Sequence, residues 1–486
     1  MIELGDKLND PYTVENMTRA LESAYPSKAG VVTVPTTDMY VRFLPRTDAE
    51  LDLLRQSGIY LMDHPMDYRI VKEGDYYHDP LLEDDMITWQ YAVVDKDYAF
   101  PEGIQWQLLD NCYISEHDPD TRASGIDWTL VEKESFRLTG NEDLWVPPTK
   151  GPSAMPAGRI TMSDPGFCNG RPVGVSGVMV ACNVFVKIAL TYTDRDGYYQ
   201  MPLSFSADPR YRLVFQNSKG FSVGFNLVLL PASVSTLGSG GPSGIDINIT
   251  EKSDDALMRR VAVNNAAYDY ISRCTPQDLE ISVPPADLRI WIIPLLEDSA
   301  APMLHHGAGL DNELIKQYAG NYTTLIKLFL PDITIGTMRN ESFAGIYGAT
   351  VHEMAHASHY ANVGNDFWTP YVTYVVTSFL MDGGAAYGYG AGEGSGHCEV
   401  GEMWAYFLGA TLEKDRYGGS LPAFPEYLWF RPEILSCMYE RGVSRSQIFK
   451  ALKPKVTSVD DLKDELVSLY PDMEHLILQC FERYGK

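Results

Sequence analysis

The spacing of hydrophobic positions changes from segment to segment in the first 150 residues, and it predicts an α/β region. Apolar residues recur every three or four positions in some segments and crowd into short β-branched or aromatic runs in others. The predicted order is a helix at Val14–Leu21, a strand at Met39–Pro45, a helix at Thr47–Ser57 and a strand at Gly58–Met62. No catalytic spacing occurs here, and we expect a structural or substrate-docking role for residues 1–150.

A second pattern begins after Pro147–Ser153, a stretch rich in proline and glycine that predicts a linker. Short β-branched or aromatic runs then alternate with turn residues, and they predict a small all-β sandwich over residues 151–248. The predicted strands are Val175–Val186, Ile188–Thr193, Tyr198–Phe205, Tyr211–Phe215 and Phe225–Leu230. One turn carries Asp194 and Asp196, which could ligate calcium, although an ordinary turn is the expected role.

The remaining segment, residues 249–486, predicts mainly helices. Ser253, Ser444 and Ser458 stand where N-cap residues begin helices. The predicted strands are Leu288–Ile293, Leu325–Leu330 and Ile333–Gly336. The fold class predicted from these patterns is multidomain α+β, with an N-terminal α/β region, a central all-β sandwich and a mainly helical C-terminal domain.

Charge and composition narrow the range of partners. The 486 residues include 65 Asp and Glu against 39 Lys and Arg, a formal net charge of −26, so binding to nucleic acid or to anionic lipid is not expected. No apolar run reaches the roughly 18 residues that a membrane-spanning helix needs. The chain begins without a basic segment followed by an apolar stretch, so no secretory signal is predicted within it. Its seven cysteines form no CxxC pair, which argues against a disulfide scaffold.

One motif carries recognisable chemistry: His352-Glu353-Met354-Ala355-His356 has the pattern His-Glu-x-x-His. Residues four apart on a helix share one face, so His352 and His356 can reach a single zinc ion. Glu353 is rotated by about 100° from His352 and is placed to take a proton from the attacking water rather than to bind the metal. The surrounding helix is nearly apolar, so these polar side chains would be costly there without a metal. We expect one Zn²⁺ per chain.

A catalytic zinc needs a third protein ligand. The best candidates are Glu402 and Glu399, which lie three residues apart on the next strongly predicted helix, and Glu402 is favoured. His397 and Cys398, after a glycine-rich loop, are weaker alternatives. His359 lies about two helical turns beyond His352, too far along a straight helix for the three histidines to share one ion, and it is expected to line the cleft instead.

The motif, followed by a glutamate on a later helix, resembles the gluzincin metallopeptidases. In aminopeptidase-like members the third ligand sits in an E-G-F-A stretch, and Glu402-Met403-Trp404-Ala405 matches that frame, although the spacing is longer than in the short-linker gluzincins. The resemblance implies a zincin-like catalytic domain at residues 249–486. It also implies that the zinc ligands are His352, His356 and Glu402 and that Glu353 is the general base.

Two further resemblances concern the rest of the chain. The segment from Gly158 to the turn Thr193–Tyr199 resembles the carboxypeptidase regulatory-like β-sandwich family, which implies a packing or spacer module. The whole plan, with the runs Asn9–Met17 and Gly74–His78, resembles a group of gut-bacterial surface lipoproteins. That second resemblance implies an extracellular or cell-surface location, with a lipidated cysteine upstream of Met1.

These features predict a zinc metallopeptidase that acts on peptides, proteins or glycoproteins. The tetrahedral oxyanion needs a hydrogen-bond donor, and the candidates are His359, Tyr406, Tyr387 and Tyr389. Ile333–Gly336 is either an edge strand that pairs with extended substrate or a plain core strand. The alternative functions are a non-catalytic surface protein that binds peptide or glycoprotein, and a zinc hydrolase of a non-peptide amide.

Overall fold

Two compact units make up the protein. The computed structural model describes residues 1–83, 86–121, 125–145, 155–224, 234–294, 296–308, 331–338, 341–381, 387–421 and 423–486. Unit 1 comprises Met1–Thr161, Gly177–Phe215 and Asn226–Ile247, and unit 2 comprises Met162–Ser176, Gln216–Phe225 and Asn248–Lys486. The fold is mixed α/β, with a small β-sandwich-like region and a helical C-terminal part.

The described helices are concentrated in the C-terminal half of the chain. They are α1 (Val14–Ala24), α2 (Asp48–Gln56), α3 (Trp128–Leu138), α4 (Asp255–Arg273), α5 (Phe343–Val363), α6 (Asn365–Met381), α7 (Ser395–Tyr417), α8 (Glu433–Glu440), α9 (Arg445–Ala451), α10 (Val459–Leu469) and α11 (Glu474–Arg483).

Most of the described strands precede α4. They are β1 (Glu3–Lys7), β2 (Asp38–Leu44), β3 (Tyr68–Lys72), β4 (Gln90–Asp95), β5 (Gln105–Cys112), β6 (Ala157–Met162), β7 (Val173–Gly174), β8 (Val178–Val184), β9 (Lys187–Tyr192), β10 (Tyr198–Gln200), β11 (Arg210–Asn217), β12 (Phe221–Val223), β13 (Val234–Ser239), β14 (Ile247–Ile249), β15 (Leu288–Ile293) and β16 (Ile333–Gly336).

Unit 1 contains an antiparallel sheet with the strand order β4–β2–β5. Val41 and Phe43 of β2 alternate with the polar Arg42, so both apolar side chains point to the core, where they are fully buried. Helices α1 and α3 meet through a second buried cluster that includes Leu21 and Val131. The sandwich-like region contains a sheet with the strand order β9–β8–β11–β13 and, separately, the antiparallel pair β6–β10.

Unit 2 contains the parallel strands β12, β15 and β16, in that order, and helices α4 to α11. Strand β15 is almost continuously apolar and buried, which is typical of a parallel strand covered on both faces. Helix α5 packs against α4, α6 and α7. The helix that carries the His-Glu-x-x-His motif therefore lies in the interior of unit 2.

Most predicted elements in the described residues are confirmed. The structure has strands at the positions predicted for Met39–Pro45, Ile188–Thr193, Tyr211–Phe215, Leu288–Ile293 and Ile333–Gly336. It also has the predicted helices at Val14–Leu21 and Thr47–Ser57 and the predicted N-caps at Ser444 and Ser458.

Three local predictions are wrong. Gly58–Met62 is not a strand, because only Met62 forms a bridge to a neighbouring strand. The apolar residues of this segment instead reflect side chains that pack against a core cluster. Ser253 does not cap α4, since its hydroxyl accepts a hydrogen bond from the Thr250 amide and Asp254 is the cap. The strand predicted at Tyr198–Phe205 is limited to β10.

Several predictions fall on residues outside the described part of the chain. They are the linker at Pro147–Ser153 and the strands at Phe225–Leu230 and Leu325–Leu330. Because the linker is among them, the division into domains at 1–150, 151–248 and 249–486 stays a prediction.

Two findings concern the disulfide bonding and the membrane topology of the protein. Cys437 and Cys480 form a disulfide that joins α8 to α11, and the other five cysteines are free. The sequence did not indicate this pair, because the two cysteines are 43 residues apart and approach only through the packing of α8 on α11. Among the described residues, no helix is long and apolar enough to cross a bilayer.

Candidate metal centre

Helix α5 is stabilised at both ends by local signals in the sequence. Ser342 is its N-cap, and the side chain accepts a hydrogen bond from the Gly345 amide. Gly364 ends it with a φ of +74°, a conformation that favours glycine, and its amide bonds to the Tyr360 carbonyl oxygen. Between these caps, His352 and His356 lie one turn apart, with their ring centroids 4.9 Å from each other.

Helix α7 brings the glutamate to the histidines because it packs closely on α5. Gly409 lies against the motif helix, where an added Cβ would be 3.6 Å from the Cα of His352. Trp404 is fully buried, and its indole N–H donates to the Ala355 carbonyl oxygen at 3.2 Å. The close approach at Gly409 and the Trp404 hydrogen bond accompany a packing of the two helices that places Glu402 opposite the histidine pair.

Three side chains converge at this point: His352, His356 and Glu402. One ligand atom from each lies within 4.8 Å of the others. The Nε2 of His352 is 3.4 Å from Oε2 of Glu402, and the Nε2 of His356 is 3.4 Å from Oε1. His356 and Glu402 are buried, whereas His352 is partly exposed and opens the group to solvent. This group could hold a metal ion.

The distances and the chemistry of the donors fit a tetrahedral ion. Bonds of about 2.0–2.1 Å to a tetrahedral metal place neighbouring ligand atoms about 3.3 Å apart, close to the separations between the imidazoles and the carboxylate. Oε2 of Glu402 is buried and has no hydrogen-bond partner in the described structure. A buried carboxylate oxygen of this kind is costly unless something pairs with it, and a cation would do so.

The ionisation of the group follows from its geometry. Burial alone would raise the pKa of Glu402, but the two facing histidines outweigh it and hold that pKa well below its usual range. Burial alone would lower the pKa of His352, whereas its close contact with Glu402 and the charges of Glu353 and Glu402 raise it. In a metal site the cation takes the place of the imidazole protons, because ligating histidines are neutral.

Glu353 lies beside the group but does not belong to it. Its Oε1 is 3.9 Å from Nε2 of His352, and its Oε2 is buried without a hydrogen-bond partner among the described residues. Burial raises the pKa of this carboxyl, against the opposing effect of the neighbouring histidines. An available carboxylate oxygen with a raised pKa is suited to receiving a proton.

The alternative ligands lie elsewhere. Glu399 is buried one turn before Glu402, but its carboxylate forms an ion pair with Lys486, 2.5 Å away. The ring of His397 packs on Phe367, and Cys398 is a buried free thiol. None of these three side chains joins the metal-binding group found in the described residues.

His359 is buried one turn beyond His356. Its ring packs against Phe367 and Trp368, with centroids 4.8 and 5.6 Å away, and neither ring nitrogen has a hydrogen-bond partner within the described residues. Burial lowers the pKa of His359 to about 3, so the ring is neutral. The ring has no solvent-exposed surface, so it does not line an open cleft, and its role as an oxyanion donor stays a prediction.

Two of the three predicted tyrosines approach the group. The ring of Tyr406 is 4.7 Å from the ring of His352, and its hydroxyl is 3.4 Å from the hydroxyl of Tyr387. Burial raises the pKa of both phenols, and the Glu402 charge adds to the rise, so both remain protonated donors. Tyr389 is 76% exposed and has no such contact in the described structure.

A fourth tyrosine, Tyr371 of α6, is a contact that the sequence did not indicate. It is buried, and its hydroxyl donates to Oε1 of Glu402 at 2.6 Å and lies 3.5 Å from Nε2 of His356. Its position in an aromatic-rich apolar helix offers no spacing signal, because only the packing of α6 beside α5 and α7 brings it to the ligands.

Two further predictions, the role of strand β16 and the turn at Asp194, can be compared with the structure. Strand β16 lies at the edge of its sheet, but the amide and carbonyl of Thr334 both bond to Ala300, so this position is not free to pair with substrate. In the turn that follows β9, Oδ1 of Asp194 accepts hydrogen bonds from the amides of Asp196 and Tyr198. That pattern is an ordinary turn, as expected.

Comparison with protein-family models, with curated proteins and with solved structures gives no match for the chain.

Proposed function

We propose that the protein is a zinc metallopeptidase with a gluzincin-like catalytic domain. The observation that supports this most directly is the convergence of His352, His356 and Glu402 beside a free carboxylate oxygen of Glu353. Two imidazoles and one carboxylate are a donor set typical of catalytic zinc, whose fourth position is taken by water or substrate. The regulatory-like identity of the β-sandwich and the zincin-like identity of the C-terminal domain belong to the same proposal.

The residues divide the chemistry between them. His352, His356 and Glu402 would hold the ion, and zinc in such a site acts as a Lewis acid that polarises a carbonyl and makes a water molecule acidic near pH 7. Glu353 takes a proton from the attacking water and returns it to the leaving amine.

Tyr406 and Tyr387 are the best-placed donors to the oxyanion. Both phenols are protonated, the ring of Tyr406 packs against the ring of His352, and the Tyr406 hydroxyl lies 3.4 Å from that of Tyr387. A donor that is already oriented before the reaction stabilises the developing charge without reorganisation. The proposed substrate is a peptide, protein or glycoprotein.

The proposed location is extracellular or at a cell surface, with a lipid anchor as the resemblance implies. The Cys437–Cys480 disulfide supports an oxidising compartment, because structural disulfides are rare in reducing cytosol.

Metal analysis with a peptide-library assay tests the proposal. We expect about one zinc per chain after zinc-replete expression and cleavage of library peptides that stops on chelation and returns with zinc. Protein that stays free of zinc would refute the metal site. Zinc-loaded protein without peptide cleavage would favour a binding protein or a non-peptide amidase.

Glu353→Gln separates the general base from the ligands. The amide cannot accept the proton, so we expect peptide cleavage to fall by at least about 100-fold, the lower end of general-base contributions, while zinc content is unchanged. Zinc stoichiometry and turnover are measured on the same preparation. Loss of zinc from this variant, with circular dichroism unchanged, would mean that Glu353 is a ligand and that the roles are wrongly assigned.

A further inference from the structure

Tyr371 contacts two of the three candidate ligands. Its hydroxyl donates to Oε1 of Glu402 at 2.6 Å and lies 3.5 Å from Nε2 of His356. The side chain is buried, and Trp368 packs against its ring with centroids 4.6 Å apart. The indole N–H of Trp368 is in turn bonded to the Ala301 carbonyl oxygen. The phenol is therefore held in one orientation by its neighbours.

The two oxygens of Glu402 have different surroundings. Each oxygen lies 3.4 Å from one histidine Nε2, Oε1 from that of His356 and Oε2 from that of His352. Oε1 also receives the Tyr371 hydrogen bond, whereas Oε2 has no hydrogen-bond partner in the described residues. A hydrogen bond to one carboxylate oxygen draws electron density to that atom and reduces what it can donate to a cation. The oxygen without such a bond keeps its full capacity as a ligand.

From this asymmetry we propose that Tyr371 is a positioning residue that makes Glu402 a monodentate metal ligand through Oε2. The inference rests on the proposed function, since it concerns the same ion. By occupying Oε1, the phenol keeps the second carboxylate oxygen off the metal, which leaves a coordination position for water or substrate. Residues that orient a ligand in this way contribute about 10–100-fold to metal affinity or activity.

Tyr371→Phe tests the inference, with Tyr270→Phe as the matched control. Tyr270 is also buried, and its hydroxyl donates to Ser358 on the same motif helix, away from the ligands. We expect Tyr371→Phe to weaken zinc binding by about 10–100-fold in a chelator competition, because losing the fixed orientation of Glu402 costs more than a second carboxylate oxygen contributes. Tyr270→Phe should leave zinc binding unchanged. X-ray absorption of the zinc-loaded variant should show an additional oxygen neighbour compared with wild type, because the released Oε1 can reach the metal.

A crystal structure of zinc-loaded wild type provides a test that does not depend on any variant, and it should show Oε2 alone bound. Equal zinc affinity and equal coordination in wild type and Tyr371→Phe would overturn the inference. So would a tyrosinate-to-copper charge-transfer band in copper-loaded wild type that Tyr371→Phe lacks, because the phenol would then be a ligand itself. A wild-type protein that binds no zinc would instead refute the proposed function.

Discussion

Glu399 and Glu402 lie one helical turn apart on α7, and both are buried, yet they have different partners. Glu399 is neutralised by Lys486, whereas Glu402 faces two imidazoles and the Tyr371 hydroxyl. Lys486 cannot bind a metal while it is paired as an ammonium ion, whereas the two imidazoles that face Glu402 can exchange their protons for a metal ion. Partners rather than burial therefore separate the two candidates for the third ligand.

This difference predicts opposite results for two alanine variants. Glu402→Ala should weaken zinc binding by more than about 100-fold, beyond the loss typical of a residue that only orients a ligand. Glu399→Ala should leave zinc affinity within a few-fold of wild type, because it removes only the pair with Lys486. Zinc titrations of both variants measure the effect. The reverse order would assign the third ligand to Glu399.

At the scale of elements, local signals and packing contribute separately to the site. The four-residue spacing of His352 and His356 is a property of one helix, so the sequence was sufficient to pair them. The choice of Glu402 needed a matched sequence frame, because helical phase does not separate it from Glu399. Tyr371 was not predictable, since its contact depends on how α6 packs beside two other helices.

The same reasoning explains which predicted strands were wrong. An apolar run shows that a segment is buried, but it does not show whether its backbone joins a ladder. Residues 58–62 are apolar because they cover a core, and only Met62 bonds to a strand. The short β10 ends after Gln200, although the apolar pattern continues towards Phe205, which is buried and forms only an isolated β-bridge.

Two glycines of α7 differ in how much space surrounds them, so alanine substitutions at these positions should have different effects on stability. At Gly396 an added Cβ would lie 2.3 Å from the Thr457 carbonyl oxygen, a backbone atom that cannot move aside cheaply, whereas at Gly409 the nearest atoms are 3.6 Å away. Gly396→Ala should therefore lower the free energy of unfolding by about 1–3 kcal/mol. Gly409→Ala should leave it unchanged or raise it by up to about 1 kcal/mol through helix propensity. Urea unfolding of the two variants compares them, and equal stability would show that the first turn of α7 is not tightly packed.

At the scale of the whole molecule, the order of elements along the chain does not map simply onto the compact units. Each unit is assembled from three separate stretches of sequence, and within the described residues the chain passes between units at 161–162, 176–177, 215–216 and 247–248. A scan for linkers finds boundaries between continuous segments, so it has no means of detecting an exchange within a strand such as β11. The acidic composition is likewise a property of the whole chain, and both units bury carboxylates; those buried among the described residues of unit 1 are Asp10, Asp38, Asp63, Asp67 and Glu132.

Asp10 illustrates a consequence of such burial for stability. It is buried, its Oδ1 accepts a hydrogen bond from the Tyr12 amide, and its Oδ2 has no hydrogen-bond partner in the described chain. Burial raises the pKa of Asp10 from 3.8 to about 8, and the charges of Asp67 and Asp110 add to the rise. The folded protein therefore keeps this proton over a range of pH in which the unfolded chain has lost it.

The sign of the resulting pH dependence follows from proton binding. Below about pH 4 the carboxyl is protonated in both states and adds no pH dependence to the free energy of unfolding. Between about pH 4 and 8 the folded state binds more protons than the unfolded state, so the stability falls as pH rises. Above about pH 8 the carboxyl is ionised in both states and the loss levels off. Asp10→Asn keeps the shape of the protonated acid and cannot ionise. We therefore expect its stability relative to wild type to increase between about pH 5 and pH 8 in urea unfolding. Asp6→Asn removes an exposed charge and controls for the change in net charge. If the difference in unfolding free energy between Asp10→Asn and wild type is the same at both pH values, Asp10 ionises normally in the folded protein.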